Sequence, residues 1–117
     1  MEAARLNRAR VRRATGKTLL EGPGLLTAAL DAGVTPDVVF ALPDDEMTAL
    51  LGEQQGFELT LVESSVLSRV SGTETPRGPV AVITVPEPSR PTGRDMIVAW
   101  GLGDPGNVGT LIRTAAA

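Results

Sequence analysis

The run Val38-Val39-Phe40-Ala41-Leu42, bounded by Asp37 and Pro43, restricts the fold more than any other feature. It is continuously apolar and too short for a buried helix, so it is expected as a central strand covered on both faces. The segments around it supply the cover. Upstream, Thr18-Leu19-Leu20-Glu21 reads as a short strand ending at Gly22. Pro23 then opens a helix with Leu25, Leu26, Ala29 and Leu30 on one face and Gly33 as its C-terminal stop.

Downstream, Asp44, Asp45 and Glu46 load the first turn of another helix with charge that suits its dipole. Met47, Leu50 and Leu51 are expected to face inward, and Gly56 to end it. That acidic run is a cap and not a catalytic cluster. Phe57, Leu59 and Leu61 alternate with Glu58 and Thr60, the pattern of a half-buried strand near an edge. Ser64 or Ser65 is expected to cap a short helix carrying Val66, Leu67 and Val70. A polar loop, Ser71 to Pro79, leads into the apolar strand Val80 to Val85. Strands alternating with helices predict an α/β/α sandwich on a mixed or mainly parallel sheet.

A chain of 117 residues holds one domain of ordinary size and leaves any second one incomplete. The stretch from Pro86 to Gly93, with prolines at 86, 88 and 91, reads as the linker. The expected division is a basic arm (1–17), a body (18–85), a linker (86–93) and the start of a second domain (94–117). No run of eighteen apolar residues occurs, and the basic N-terminus lacks the apolar stretch of a secretory signal. Cytoplasmic residence is the resulting expectation.

The chain has neither cysteine nor histidine. That excludes disulfides, zinc sites of the usual kind and Ser-His-Asp or Cys-His nucleophiles, so no metal is expected. Phe40, Phe57 and Trp100 are the only aromatic residues, too few for a platform of stacked bases. Any contact with RNA must therefore depend on charge and shape. Charge is unevenly spread. Arg5, Arg8, Arg10, Arg12, Arg13 and Lys17 face only Glu2, so residues 1–17 carry +5 and the remaining hundred −8. A basic arm on an acidic body suits nucleic acid, because neutralised phosphates release counterions. A solvated tail or helix start would show the same composition.

The second candidate is Asp104-Pro105-Gly106-Asn107-Val108-Gly109, which follows the apolar run Met96-Ile97-Val98-Ala99-Trp100. The pattern predicts a strand, a tight turn with Gly106 at positive φ, and a helix capped by Asn107. Gly109 and Arg113 then share one helix face, open to an anion such as phosphate. An ordinary turn, cap and surface arginine would fit the same spacing. Gly101-Leu102-Gly103-Asp104-Pro105-Gly106 also matches the dinucleotide fingerprint GxGxxG. Pro105 is awkward within it, and an acidic ribose ligand some ~20 residues on would fall past Ala117.

The stretch Asp104 to Gly109, followed by Leu111-Ile112-Arg113-Thr114-Ala115-Ala116, resembles the first motif of SpoU (TrmH-type) RNA ribose methyltransferases of the SPOUT superfamily. Asn107, Gly109 and Arg113 match its signature positions. Glu21-Gly22, Ala29-Leu30 and Thr73-Glu74-Thr75-Pro76-Arg77-Gly78 resemble the small substrate-binding domain that precedes catalysis in many members, with Arg77 where glutamine is frequent.

The resemblance implies a body with the fold of kink-turn-binding ribosomal proteins, then an incomplete start of a knotted SPOUT domain. It implies methyl transfer from S-adenosylmethionine to a ribose 2′-hydroxyl of ribosomal or transfer RNA, by a parent protein that forms homodimers. Asn107 and Arg113 would be its catalytic residues, Arg113 orienting ribose and phosphate. Arg8, Arg10, Arg12, Arg13, Lys17, Thr73, Thr75, Arg77 and Gly109 would meet RNA. The family's cofactor site comes from later motifs, so residues 1–117 alone are expected to bind RNA without transferring methyl. The remaining alternatives are a nucleotide-binding protein using Gly101–Gly106 and a non-catalytic RNA-binding module.

Overall fold

The computed structural model describes residues 2–93 and 95–117. They fall into two compact units, Met1–Pro86 and Glu87–Ala117.

The first unit opens with a short 3₁₀ helix, Ala3–Asn7, followed by α1 (Ala9–Thr15). Four strands follow, β1 (Lys17–Glu21), β2 (Val38–Ala41), β3 (Leu59–Leu61) and β4 (Val80–Thr84). Helices α2 (Pro23–Asp31), α3 (Glu46–Gln55) and α4 (Ser64–Ser71) connect them. The sheet order is β1-β4-β2-β3. β4 runs antiparallel to both its neighbours, pairing Leu19 with Val82 on one side and Val39 with Ala81 on the other, while β2 and β3 are parallel. The sheet is therefore mixed, with its last strand inserted in the middle.

Strand periodicity explains why the apolar runs are continuous. Phe40, Val80 and Val82 point to one face, where they pack with Leu6, Leu67 and Val70. Val39 and Ala81 point to the other, against Leu26 and Phe57. Each central strand thus feeds two cores and has no face left for polar residues.

Local chemistry sets the helix ends. Asp45 caps α3, its Oδ1 accepting the Thr48 N–H at 3.0 Å and its Oδ2 the Thr48 hydroxyl at 2.7 Å. The inward face of α3 differs from expectation, because Met47 and Leu50 are exposed while Thr48 and Gly52 are buried. Gly52 lies against the Phe57 ring, and that close approach turns the small residues inward. Leu25 of α2 is exposed too. At α4 the cap position is Glu63, without a side-chain bond from Ser64 or Ser65.

The basic segment at residues 1–17 is helical and folded onto the sheet. Leu6 is only 5% exposed and lies in the core with Phe40 and Leu67, while Ala3 and Val11 pack against that core. Asn7 clips the segment down, its Nδ2 donating to Val70 O at 3.0 Å and Ala4 O at 3.2 Å. Gly72 makes room for this clip, since a Cβ there would meet the Asn7 amide at 2.9 Å and φ is +78°. Burial of an apolar edge outweighs the mutual repulsion of the arginines, of which Arg5, Arg8, Arg10 and Arg13 remain exposed and Arg12 is half-buried.

In the second unit the strand expected at Met96–Trp100 does not form. These residues have no regular structure, and Trp100 is 93% exposed. A strand requires a neighbour for its N–H and C=O groups, and residues 95–103 have none among the described residues. The unit's regular element is α5 (Pro105–Ala116). No helix among the described residues is long and apolar enough to cross a membrane.

Candidate nucleic-acid interface

The basic residues of the first 17 positions take three different roles. Arg5, Arg8, Arg10 and Lys17 line a groove of about 840 Å³ between the N-terminal helices and the sheet. Leu6, Val11, Val38, Phe40 and Val82 form its apolar floor. Arg12 is used inside the fold, its Nη1 donating to Leu6 O and Asn7 O, both at 2.9 Å, and so tying α1 back to the 3₁₀ helix. Arg13 is exposed and lies away from the groove.

One wall of the groove is already neutralised. Lys17 Nζ lies 2.9 Å from Asp37 Oδ2, and the Thr84 hydroxyl donates to the same oxygen at 3.1 Å. Such a partly exposed pair adds at most about 1 kcal/mol of stability, but it reduces the charge Lys17 offers a ligand. Among the described residues no carboxylate lies within ion-pair distance of Arg5, Arg8 or Arg10. Three exposed guanidiniums are thus held on a folded edge without internal partners, a geometry suited to phosphate oxygens.

Arg5 and Asp37 also line the groove, Arg5 as a member of the basic run that was not among the residues expected to meet RNA and Asp37 as the residue bounding the central strand. Ala3, Leu6 and Val11, apolar residues at helical spacing within a basic run, are the signal for this folded wall.

The loop from Gly72 to Pro79 lies at the other end of β1. The Gly22 N–H donates to Pro79 O at 2.8 Å, and the Arg77 N–H to Glu21 Oε1 at 3.0 Å. This fixes the loop backbone on the β1–α2 corner and leaves the Thr75 and Arg77 side chains exposed. The Thr73 hydroxyl is paired with Ser71 Oγ at 2.9 Å. Lys17, which lines the groove, and Glu21, which holds the loop, are the two ends of β1, about 13 Å apart along the strand.

In the second unit, the cap of α5 is Asp104 and not Asn107. Its carboxylate accepts the Gly106 and Asn107 N–H groups, each at 3.2 Å. Pro105 occupies the first helical position, where its fixed φ and missing N–H cost nothing, so the helix opens ahead of Asn107. Gly106 is correspondingly helical, without the positive φ expected of a turn. Two of the N–H groups expected to meet an anion are therefore occupied by the chain's own carboxylate.

The pairing of Gly109 with Arg113 does occur. A Cβ at 109 would sit 3.1 Å from Arg113 Nη1, and Arg113 Nη2 donates to the Thr110 hydroxyl at 3.3 Å. The guanidinium lies back along its own helix, above the glycine. The dinucleotide fingerprint at Gly101–Gly106 lacks its context, because no strand precedes it and the helix start is self-capped.

Comparison with known proteins gives a consistent set of relatives. Residues 1–81 match the MRM3-like substrate binding domain. The chain is 32% identical over 114 residues to the 23S rRNA (guanosine(2553)-2′-O)-methyltransferase RlmP of Bacillus subtilis, covering 97% of this chain and 45% of that protein. It is 33% identical over 112 residues to rRNA methyltransferase 3A, mitochondrial, of Danio rerio, covering 87% of this chain and 26% of that one.

A crystal structure of an RNA 2′-O ribose methyltransferase matches with a TM-score of 0.69 at 30% identity, over 98% of this chain and 47% of that chain. An AdoMet-bound rRNA methyltransferase from Sinorhizobium meliloti shares the fold, with a TM-score of 0.57 at 23% identity over 71% of this chain and 31% of its own. The chain spans less than half the length of each of these relatives.

Proposed function

Because the chain belongs to the MRM3-like substrate-binding-domain family, whose relatives are RNA 2′-O-ribose methyltransferases of the SpoU type, we propose that its first unit holds the RNA substrate of such an enzyme. The observation that carries this reading is the row of exposed, unpaired guanidiniums, Arg5, Arg8 and Arg10, fixed on a folded wall beside the groove. They neutralise phosphates, and Thr75 and Arg77, with Thr73 behind them, meet phosphate or ribose at the other end of β1. Charged contacts at the two ends of β1 set the register of a structured RNA without reading its sequence, as phosphate contacts do.

In this reading residues 1–85 are the RNA-holding unit, with helices on both faces of the sheet as in kink-turn-binding ribosomal proteins. Residues 86–93 are the linker, and residues 94–117 belong to the start of a SPOUT methyltransferase domain. The whole protein is a cytoplasmic homodimer that methylates a ribose 2′-hydroxyl of ribosomal or transfer RNA. S-adenosylmethionine supplies the methyl group when bound.

The residues described here do not fit that cofactor by themselves: Met96, Ile97, Val98 and Trp100 are exposed and enclose nothing. What α5 contributes is a guanidinium, Arg113, held over Gly109 where a substrate phosphate or ribose can approach, with Asn107 six residues before it on the same helix.

Titration of the 117-residue chain tests the reading. A structured rRNA or tRNA fragment binds, and S-adenosylmethionine gives no heat in the micromolar range. Micromolar cofactor binding, or no RNA binding at low salt, contradicts it.

A further inference from the structure

We propose that the groove beneath the N-terminal helices receives one unpaired nucleotide of the bound RNA, extruded from its stack. The inference rests on the RNA-holding reading above and adds what part of the RNA enters, and where. Size is the first argument. About 840 Å³ lies within the range that encloses a compact ring-bearing ligand, whereas a double helix cannot enter a space of that volume.

Charge complementarity is the second argument. Arg5, Arg8 and Arg10 line the groove with no carboxylate in ion-pair distance among the described residues, and they outnumber Glu2, the lining carboxylate not held by Lys17, so phosphates on either side of a nucleotide can be held there. The third is the apolar lining: Val11 and Val38 are half-buried and Leu6, Phe40 and Val82 nearly buried, so the groove presents a small aliphatic patch that suits one face of a base and not a further phosphate. A purely phosphate-binding surface needs no such patch. Phe40 is 9% exposed and Leu6 and Val82 5% each, so the base rests on the half-buried Val11 and Val38 and its identity is read only weakly.

The occupant is therefore a single-stranded or bulged nucleotide. The loop at Thr75 and Arg77 takes backbone.

The test uses the 117-residue chain with three RNA probes: a short single-stranded oligoribonucleotide carrying 2-aminopurine, the same sequence as a blunt duplex, and AMP. Ala14→Trp narrows the groove from an exposed position on α1 and leaves every charge in place. The wild-type chain is expected to bind the single strand with a change in 2-aminopurine emission. Ala14→Trp is expected to weaken that binding roughly tenfold while duplex binding stays nearly constant. Arg8→Ala/Arg10→Ala weakens both, and AMP binds far more weakly than the oligonucleotide because it offers only one phosphate.

Circular dichroism confirms that each variant is folded. Equal loss of single strand and duplex in Ala14→Trp, or an unchanged emission on binding, overturns the inference and leaves the RNA-holding reading intact. If neither RNA form binds the wild-type chain, both fail together.

Discussion

Replacing Leu6 by alanine separates a folded basic wall from a basic tail. Leu6 is 5% exposed among Phe40, Leu67, Val70, Val80 and Val82. Cutting its side chain to a methyl removes about three buried carbon groups, worth about 2.4 kcal/mol at roughly 0.8 kcal/mol each. A cavity term adds to this, though a site in the first turn of the chain relaxes more than a central one, so the lower part of the ~2–5 kcal/mol range for such changes applies. With a urea dependence of about 1 kcal/mol per molar for a unit of this size, the midpoint falls by roughly 2 M. Equilibrium unfolding followed by circular dichroism measures it. Trp100 lies in the other unit and is a poor reporter. A shift of the size seen for exposed residues, within about 0.5 kcal/mol, would refute the packing of residues 3–15 on the sheet.

Gly72→Ala is expected to destabilise the same unit by about 1–3 kcal/mol in thermal unfolding, because a Cβ at φ +78° is strained and also meets the Asn7 clip. Arg12→Ala costs about 1 kcal/mol through its two hydrogen bonds to Leu6 and Asn7 carbonyls, whereas Arg13→Ala is nearly neutral; urea midpoints of the two variants compare them directly. Asp104→Ala weakens the start of α5 by about 1 kcal/mol, seen as loss of helical carbon shifts from Gly106 to Thr110 in NMR spectra, with residues 1–86 unaffected.

Much of the first unit is legible in its sequence because pattern and burial agree there. The run Val38–Leu42 requires cover on both faces, and two separate cores meet that need. Gly33 and Gly56 end their helices at positive φ, as a missing Cβ allows. The insertion of β4 between β1 and β2 is not legible, since a strand's own residues do not name its neighbours. The N-terminal wall was obscured by its arginines, whose charge dominates the reading while Ala3, Leu6 and Val11 carry the fold.

At the second site the error has two physical sources. Met96–Trp100 has the composition of a strand, but a strand exists only with a partner. Aspartate and asparagine are both favoured caps, and Pro105 selects Asp104 by fixing the first helical position one residue later. Asn107, Gly109 and Arg113 remain on one short helix, and their role in methyl transfer is a proposal carried by resemblance.

The central claim, that the folded basic wall holds RNA phosphates, is tested most directly by the salt dependence of affinity for a structured rRNA fragment. Wild-type chain and the Arg5→Ala/Arg8→Ala/Arg10→Ala variant are titrated over the same range of salt. If the three guanidiniums contact phosphate, the slope of log affinity against log salt becomes shallower by roughly 2–3 in the variant. An identical slope, with the variant still folded, would place RNA binding elsewhere and contradict the account.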